Sequence, residues 1–186
     1  MPDRLYFSGL DEADELIARD PLALLIGFVL DQQVTVQKAF AGPLVLKQRA
    51  CTLDAAALAA MDLEPIFRER PALHRFPGAM AGRVQALCEQ IARDYDGHAE
   101  RVWTEAASAD DLRERLGALP GFGAMKVKAV AAVLSKRFDV RTADALVPDM
   151  PTLGDVDSPA ALAEYQAGKR AQKAAKRAER AAAAAG

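Results

Sequence analysis

Apolar residues in this chain recur at the spacing of helices rather than of strands. In the segment that begins near Ala124, four apolar side chains fall at i, i+3, i+4 and i+7, the pattern of one buried helix face. These are Val127, Val130, Ala131 and Leu134. The run from Leu22 to Leu30 carries no charge and predicts a core helix, because nine residues are too few to cross a membrane. The pattern predicts an all-α fold.

Polar residues mark where the predicted helices begin. Asp20 and Pro21 suit the N-cap and first helical position of the apolar helix, which we expect to reach about Gln32. Ser108 and Asp111 have the spacing of a capping box, in which a side chain and a backbone amide pair at a helix start. A second well-marked helix is therefore predicted from residue 108 onwards.

A short break interrupts the helical pattern after that second helix. Pro120, Gly121 and Gly123 fall within four residues, and the apolar helix pattern resumes at Ala124. Glycine adopts backbone torsions that a Cβ would oppose, so the break predicts a tight turn. The sequence thus predicts two helices joined by a glycine hairpin, over residues of about 108–137.

The hairpin has the chemistry of a phosphate site. Gly121 and Gly123 leave the first amides of the following helix uncovered, and a helix N-terminus attracts anions. Lys126 and Lys128 lie in or just after the first turn of that helix and add positive charge. These four residues are the predicted phosphate-binding residues.

Two of these features together resemble a known family. Residues Leu119 to Gly123 read L-P-G-F-G, and Asp144 follows 21 residues after the second glycine. This resembles the helix-hairpin-helix and following aspartate of the HhH-GPD superfamily of DNA glycosylases. The resemblance implies a two-lobed helical fold, double-stranded DNA with a damaged base as partner, and Asp144 as the catalytic residue. It also allows a monovalent cation at the hairpin. A plain turn at the glycines and a helix cap or loop position for Asp144 remain the alternatives.

Two further segments extend the resemblance. Leu30 to Ala39 reads L-D-Q-Q-V-T-V-Q-K-A and is similar to the Q-Q-V-S-V-x-x-A segment of the alkyladenine branch. By this resemblance, Gln33 fills or senses the gap left by an extruded base. Gly78 to Val84 resembles the family's G-ϕ-S-x-x-K-A loop, which implies Met80 or Ala79 as an apolar wedge in the base stack. The alternatives are a helix end for the glutamine and a core position for Met80.

The resemblance implies base removal, and three forms of the function stay open. A departing base leaves a positively charged sugar, whose charge Asp144 would stabilise. The bifunctional branch, which also nicks the strand, adds a lysine after the hairpin glycines. A gapless match puts Met125 at that position, which favours a monofunctional glycosylase, but Lys126 stands 18 residues before Asp144 and keeps a glycosylase/AP lyase open. Pro148 and Pro151 interrupt the expected last helix and favour the third form, a non-catalytic hairpin module that binds damaged DNA.

Charge and cysteine content narrow the partners and cofactors. The formal charge is −2, but from Gln166 onwards six basic residues stand against Glu179, a net of +5, which leaves −7 for the rest. Two cysteines are too few for a disulfide framework and favour a reducing compartment. The sequence contains no iron–sulfur cysteine loop, so we predict no iron–sulfur cluster and no other cofactor apart from the monovalent cation that the resemblance allows at the hairpin. His74 and His98 have no metal-ligand spacing and are predicted to lie at the surface.

The chain is thus predicted to have two parts. A glycosylase-like domain is expected over residues 1–157, and an Ala-, Lys- and Arg-rich tail, helical or disordered, over residues 158–186. We expect the tail to add phosphate contacts to those of the hairpin, since basic residues that neutralise phosphates release counterions. The protein is expected to be a monomer in the cytoplasm, associated with the nucleoid and not with a membrane.

Overall fold

The computed structural model describes residues 2–184, and the side chains of residues 2–180. Every regular element in that range is a helix, which confirms the all-α prediction. The α-helices are α1 (Asp11–Arg19), α2 (Pro21–Leu30), α3 (Val36–Ala50), α4 (Ala55–Ala60), α5 (Leu63–Arg68), α6 (Pro77–Tyr95), α7 (Arg101–Thr104), α8 (Ala109–Ala118), α9 (Ala124–Phe138) and α10 (Pro159–Ala184). Two 3-10 helices, Arg141–Leu146 and Leu153–Asp155, lie between α9 and α10.

Helix α2 is the centre of a first group of helices, formed by α1 to α6. Residues 22–30 of α2 are all buried, as the unbroken apolar run predicts, and α1, α3 and α6 pack around it. Asp20 accepts a hydrogen bond from the Ala23 amide at 3.0 Å, so the predicted N-cap is confirmed. Gly27 lets the ring of Phe40 approach, since a Cβ there would lie 2.5 Å from it. Close packing of this kind holds the end of α2 in a fixed position.

The second group consists of α7, α8, α9 and the two 3-10 helices. Ser108 caps α8 by accepting a hydrogen bond from the Asp111 amide at 3.2 Å, as predicted. The buried face of α9 contains the four predicted apolar residues. Gly154, in the second 3-10 helix, lies so close to α9 that a Cβ would meet the Ala132 carbonyl oxygen at 2.3 Å. The chain after α9 therefore folds back tightly onto α9.

Helix α10 connects the two groups instead of extending freely. Leu162 is buried, and α10 contacts the second 3-10 helix. Gln166 donates a hydrogen bond of 2.6 Å to the side chain of Gln37 in α3. Beyond that point, every side chain in the range 167–180 is exposed. The predicted tail is thus helical up to Ala184, and its last two residues lie outside the described part of the chain.

Two sequence predictions fail in the first group. His74 was expected at the surface, but it is 1% exposed, because its ring bonds the Gln32 carbonyl oxygen at 3.1 Å and accepts from the Phe76 amide at 3.1 Å. The segment of residues 78–84 was expected to form a loop, but it continues α6, since Pro77 takes the first helical position. His98 is exposed as predicted. Across the described residues, no helix is both long and apolar enough to cross a membrane.

Candidate nucleic-acid interface and cleft

The hairpin between α8 and α9 presents backbone amides to solvent. Gly121 has φ +84°, a torsion that favours glycine, and Phe122 is buried and anchors the turn. Gly123 is the N-cap of α9 and offers no side chain to cover the first amides of the helix. Both glycines and Lys128 are exposed. The amides and the positive end of the helix dipole form a surface that suits a phosphate.

A cleft of about 780 Å³ opens beside the same first turn of α9. The end of α2 and the start of α9 form one side, and residues 148–156 with α10 form the other. Its walls mix apolar with charged side chains. The lining includes Phe28, Asp31, Met125, Lys126, Asp149, Met150, Asp155, Glu164, Tyr165 and Lys169. A volume of this size falls within the range of small-molecule sites in proteins.

Lys126 enters this cleft from α9 and is partly buried. Its ammonium donates a hydrogen bond of 3.4 Å to the Val29 carbonyl, one of the last carbonyls of α2, and lies 5.7 Å from the centre of the Phe122 ring. Burial lowers the pKa of Lys126, the charge of Asp31 opposes this change, and Arg83 adds to it. A lysine whose pKa is lowered has a larger fraction of neutral amine, the form that acts as a nucleophile.

Met125 has a different position from Lys126. The Met125 side chain is 74% exposed and lies at the rim of the cleft. The gapless match to the family puts Met125 at the position of the nucleophilic lysine, and the 18-residue spacing to Asp144 keeps Lys126 as the alternative. In this fold the partly buried amine of the cleft belongs to Lys126, because one residue step turns a helical side chain by ~100°.

Asp144 lies outside the cleft. It is exposed in the first 3-10 helix and accepts a hydrogen bond of 2.7 Å from the Ser135 hydroxyl, near the far end of α9. Ser135 stands nine residues after Lys126, which on a helix is ~13.5 Å along the axis and about half a turn around it. The structure therefore does not bring the two residues of the family spacing together.

A second cluster lies at the other edge of the hairpin, where two loops meet. Gln33 is exposed and has φ +56°, so the chain turns sharply between α2 and α3. Arg83 donates to the side chain of Gln32, and its own side chain passes 3.8 Å from the position of a Cβ on Gly121. The hairpin, the glutamine turn and α6 therefore contact one another.

Phe76 projects from this second cluster. It is 40% exposed although it is a large apolar residue, and the Arg75 guanidinium lies 4.9 Å from its ring centre. Buried His74 bonds both the Gln32 carbonyl and the Phe76 amide, so the ring is held next to the glutamine turn. Met80, the residue that the resemblance implied as a wedge, is 1% exposed and packs in the core. Ala79 is exposed but has one methyl group.

Sequence reasoning missed Asp31, Phe76 and Tyr165. Asp31 lies near the predicted end of the apolar helix, and a carboxylate at a helix C-terminus is an unfavourable placement that could have marked it. Phe76 stands directly before Pro77 and could have been recognised as a helix N-cap position with no polar side chain. Tyr165 enters the cleft only because α10 folds back between both groups, and no local pattern predicts that contact.

Comparisons of the chain with family models, with curated proteins and with solved structures return no match. Within the described residues, no group of three or more His, Cys, Asp or Glu side chains could hold a metal ion. Both cysteines are free, and burial raises the pKa of Cys88 to about 12. The hairpin, the cleft and the projecting Phe76 ring are therefore the features that indicate what this site can bind.

Proposed function

We propose that this protein is a DNA glycosylase of base excision repair, which binds duplex DNA through the hairpin and removes a damaged base at the cleft. The observation that carries the proposal is the shared first turn of α9: no side chain caps its amides at exposed Gly123, and three residues later Lys126 enters a cleft. A phosphate on the amides would bring the adjacent nucleotide next to the amine.

The cleft has the size and lining for a base taken out of the stack. Enzymes that act on a base in duplex DNA extrude it into a pocket and hold it between aromatic or apolar side chains. Met150 and Tyr165 supply such surfaces here, and Met150 is 51% exposed, whereas Phe28 lies buried behind the wall of the cleft. Exposed methionine next to a tyrosine is a surface that a flat ring would cover.

Phe76 and Gln33 suit the gap that extrusion leaves in the duplex. Proteins that unstack DNA insert apolar wedges between bases, and an exposed phenylalanine held by its backbone is a rigid wedge. Gln33 has the long polar side chain that the resemblance implies for the same gap. In this proposal Phe76 is the apolar wedge, the role that the resemblance implied for Met80 or Ala79.

The position of Lys126 favours the bifunctional form over the monofunctional one. A partly buried amine with a lowered pKa is suited to attack the sugar and to form a Schiff base, whose elimination cuts the strand. The non-catalytic module is the second candidate, and the observation that favours it is the position of Asp144 outside the cleft.

A panel of duplexes tests both candidates. Each duplex carries one alkylated, oxidised or deaminated base or an abasic site, and the full-length protein is incubated with it under single-turnover conditions. We expect base release from at least one lesion and a covalent protein–DNA adduct after borohydride reduction. Tight and selective binding without either product would overturn the glycosylase and leave the binding module. Release of a base without an adduct would restore the monofunctional form.

A further inference from the structure

Asp31 is an aspartate in an electrostatically poor position. It is the C-cap of α2, and its own amide bonds the Gly27 carbonyl at 3.0 Å. A negative charge at a helix C-terminus opposes the helix dipole and destabilises the helix. Asp20 and Asp54, in contrast, stand at helix N-caps and accept amide hydrogen bonds of 3.0 and 2.8 Å. Asp20 and Asp54 therefore stabilise the starts of their helices, whereas the charge of Asp31 does not stabilise the end of α2.

The surroundings of Asp31 add to this cost. The residue is partly buried, and burial raises the pKa of its carboxyl, while the charges of Lys169 and Lys126 act in the opposite direction. Within the described part of the chain, neither lysine forms an ion pair with it and no side chain donates a hydrogen bond to it. Asp31 is one of the residues that line the cleft.

The other carboxylates of the cleft are placed differently. Asp155 is held by Lys136 at 2.7 Å and by the Thr152 amide at 2.8 Å, so it stabilises the second 3-10 helix. Asp149 and Glu164 are exposed at the rim. A group whose pKa is shifted by burial, beside a charged neighbour in a cleft, is a candidate for a functional role.

The geometry points to Asp31 as the catalytic carboxylate of the cleft, on the same side as Lys126, where it stabilises the positive charge that develops on the deoxyribose as the damaged base leaves. This inference rests on the proposed glycosylase function. It assigns the catalytic role to the carboxylate at the end of α2 and not to Asp144, which follows the hairpin. It also explains why the fold keeps an aspartate where a neutral residue would be more stable.

Lys126 and Asp31 together supply the nucleophile and the proton carrier that replacement of the base requires. The bond between C1′ and the base nitrogen breaks, its electron pair leaves with the base, and the sugar becomes cationic beside the carboxylate. The Lys126 amine then forms a bond to C1′ with its lone pair and loses a proton to Asp31. Asp31 passes this proton to the departing base, so that charge is conserved. The negative charge of Asp31 therefore interacts more strongly with the transition state, in which the sugar is becoming cationic, than with the neutral sugar before the bond breaks.

Two variants with the same chemical change test the inference on a lesion that the wild-type protein cuts. Asp31→Asn removes a charge inside the cleft and Asp144→Asn removes one outside it. We expect Asp31→Asn to lower the single-turnover rate of base release by ~10²–10³, as loss of a comparable charge-stabilising group does. We expect Asp144→Asn to change that rate by less than about threefold, because its carboxylate accepts a hydrogen bond from Ser135 near the far end of α9, outside the cleft.

A second measurement separates catalysis from folding. On a duplex with a preformed abasic site no base has to leave, so Asp31→Asn should still form the borohydride-trapped adduct. Trapping should even rise at neutral pH, because loss of the Asp31 charge lowers the pKa of Lys126 further. The thermal midpoint should stay equal or rise, since a charge that opposes the α2 dipole is gone.

The outcomes are distinct. A wild-type protein that neither releases a base nor forms an adduct defeats the proposed function itself. Wild-type activity that survives Asp31→Asn overturns the assignment of Asp31 and leaves the glycosylase intact. Equal losses of base release, trapping and thermal midpoint would show a structural role for Asp31 and also overturn the assignment.

Discussion

The two ends of α9 carry similar polar residues in different environments. At the N-terminal end, Lys126 lies partly buried beside a cleft, behind a glycine turn with uncovered amides. At the C-terminal end, Ser135 and Asp144 form a hydrogen bond of 2.7 Å on the exposed surface. The first end combines burial, a lysine with a lowered pKa and space for a ligand, whereas the second is an exposed hydrogen-bonded pair outside the cleft. The difference shows that linear spacing does not bring two residues together when the chain after a helix returns along its other side.

Lys126→Ala should have the largest effect among the variants that test the difference between the two ends of α9. If the N-terminal end of α9 holds the nucleophile, the borohydride-trapped adduct should be lost completely, because no amine remains to attack the sugar. Lys126→Arg is the matched control, since it keeps the positive charge near the α2 carbonyls and should keep DNA affinity without trapping. Gel analysis of trapped complexes measures the first effect and fluorescence anisotropy the second. Trapping by Lys126→Ala would place the nucleophile elsewhere.

Phe76→Ala tests whether DNA reaches the molecule from the side of the glutamine turn. A wedge stacked on a base contributes ~1–3 kcal/mol, so base release from duplex DNA should fall by about 10- to 100-fold. The same lesion in single-stranded DNA needs no wedge and should be cut at the wild-type rate. Leu10→Ala, at another large exposed apolar residue and in front of α1, is the control and should change neither rate. Equal losses on both substrates would argue against a wedge.

Gly121→Ala and Gly117→Ala, four residues apart, test the hairpin itself. Gly121 has φ +84°, so a Cβ strains the turn and should cost ~1–2 kcal/mol of unfolding free energy together with part of the DNA affinity. Gly117 is exposed in α8 with open space around it, so alanine there should add up to ~0.5–1 kcal/mol. Urea unfolding and anisotropy measure both. A hairpin variant with unchanged DNA affinity would remove the phosphate site from the proposal.

Local signals predicted the helices well because each signal acts within one or two turns. Asp20 and Ser108 begin α2 and α8 as predicted, and the unbroken apolar run of α2 is buried as predicted. Each of these depends on a side chain that bonds a nearby amide or on an apolar face that must leave water. The sequence of a helix therefore contains most of the information about its own ends.

The candidate site was predicted less well because it is assembled by contacts between distant segments. The Lys126 ammonium meets a carbonyl of α2, 97 residues earlier in the chain, and Tyr165 of α10 reaches the same cleft. His74 was assigned to the surface because its two partners, Gln32 and Phe76, are brought together only by packing of α2 against α6. No periodicity in the sequence encodes such a meeting.

Asp144→Asn is the smallest expected effect and the most informative one about the family resemblance. The substitution keeps the size and most of the hydrogen bonding of the side chain, and the Ser135 hydroxyl can still donate to the amide oxygen. Because the residue is exposed, its stability change should stay within ~0.5 kcal/mol, as for most surface substitutions. Ser135→Ala removes the same hydrogen bond from the other side and should behave alike.

The rates of base release by Asp144→Asn and Ser135→Ala show whether Asp144 takes part in the reaction. If both variants keep the wild-type rate, the 18-residue spacing between Lys126 and Asp144 is a feature of sequence alone, and the carboxylate that acts on the sugar lies in the cleft. If Asp144→Asn instead loses ~10²–10³ in rate while Ser135→Ala does not, DNA binding must carry the 3-10 helix of Asp144 toward the sugar. That result would require α9 and the segment after it to separate, since the two now pack too closely at Gly154 for even a Cβ.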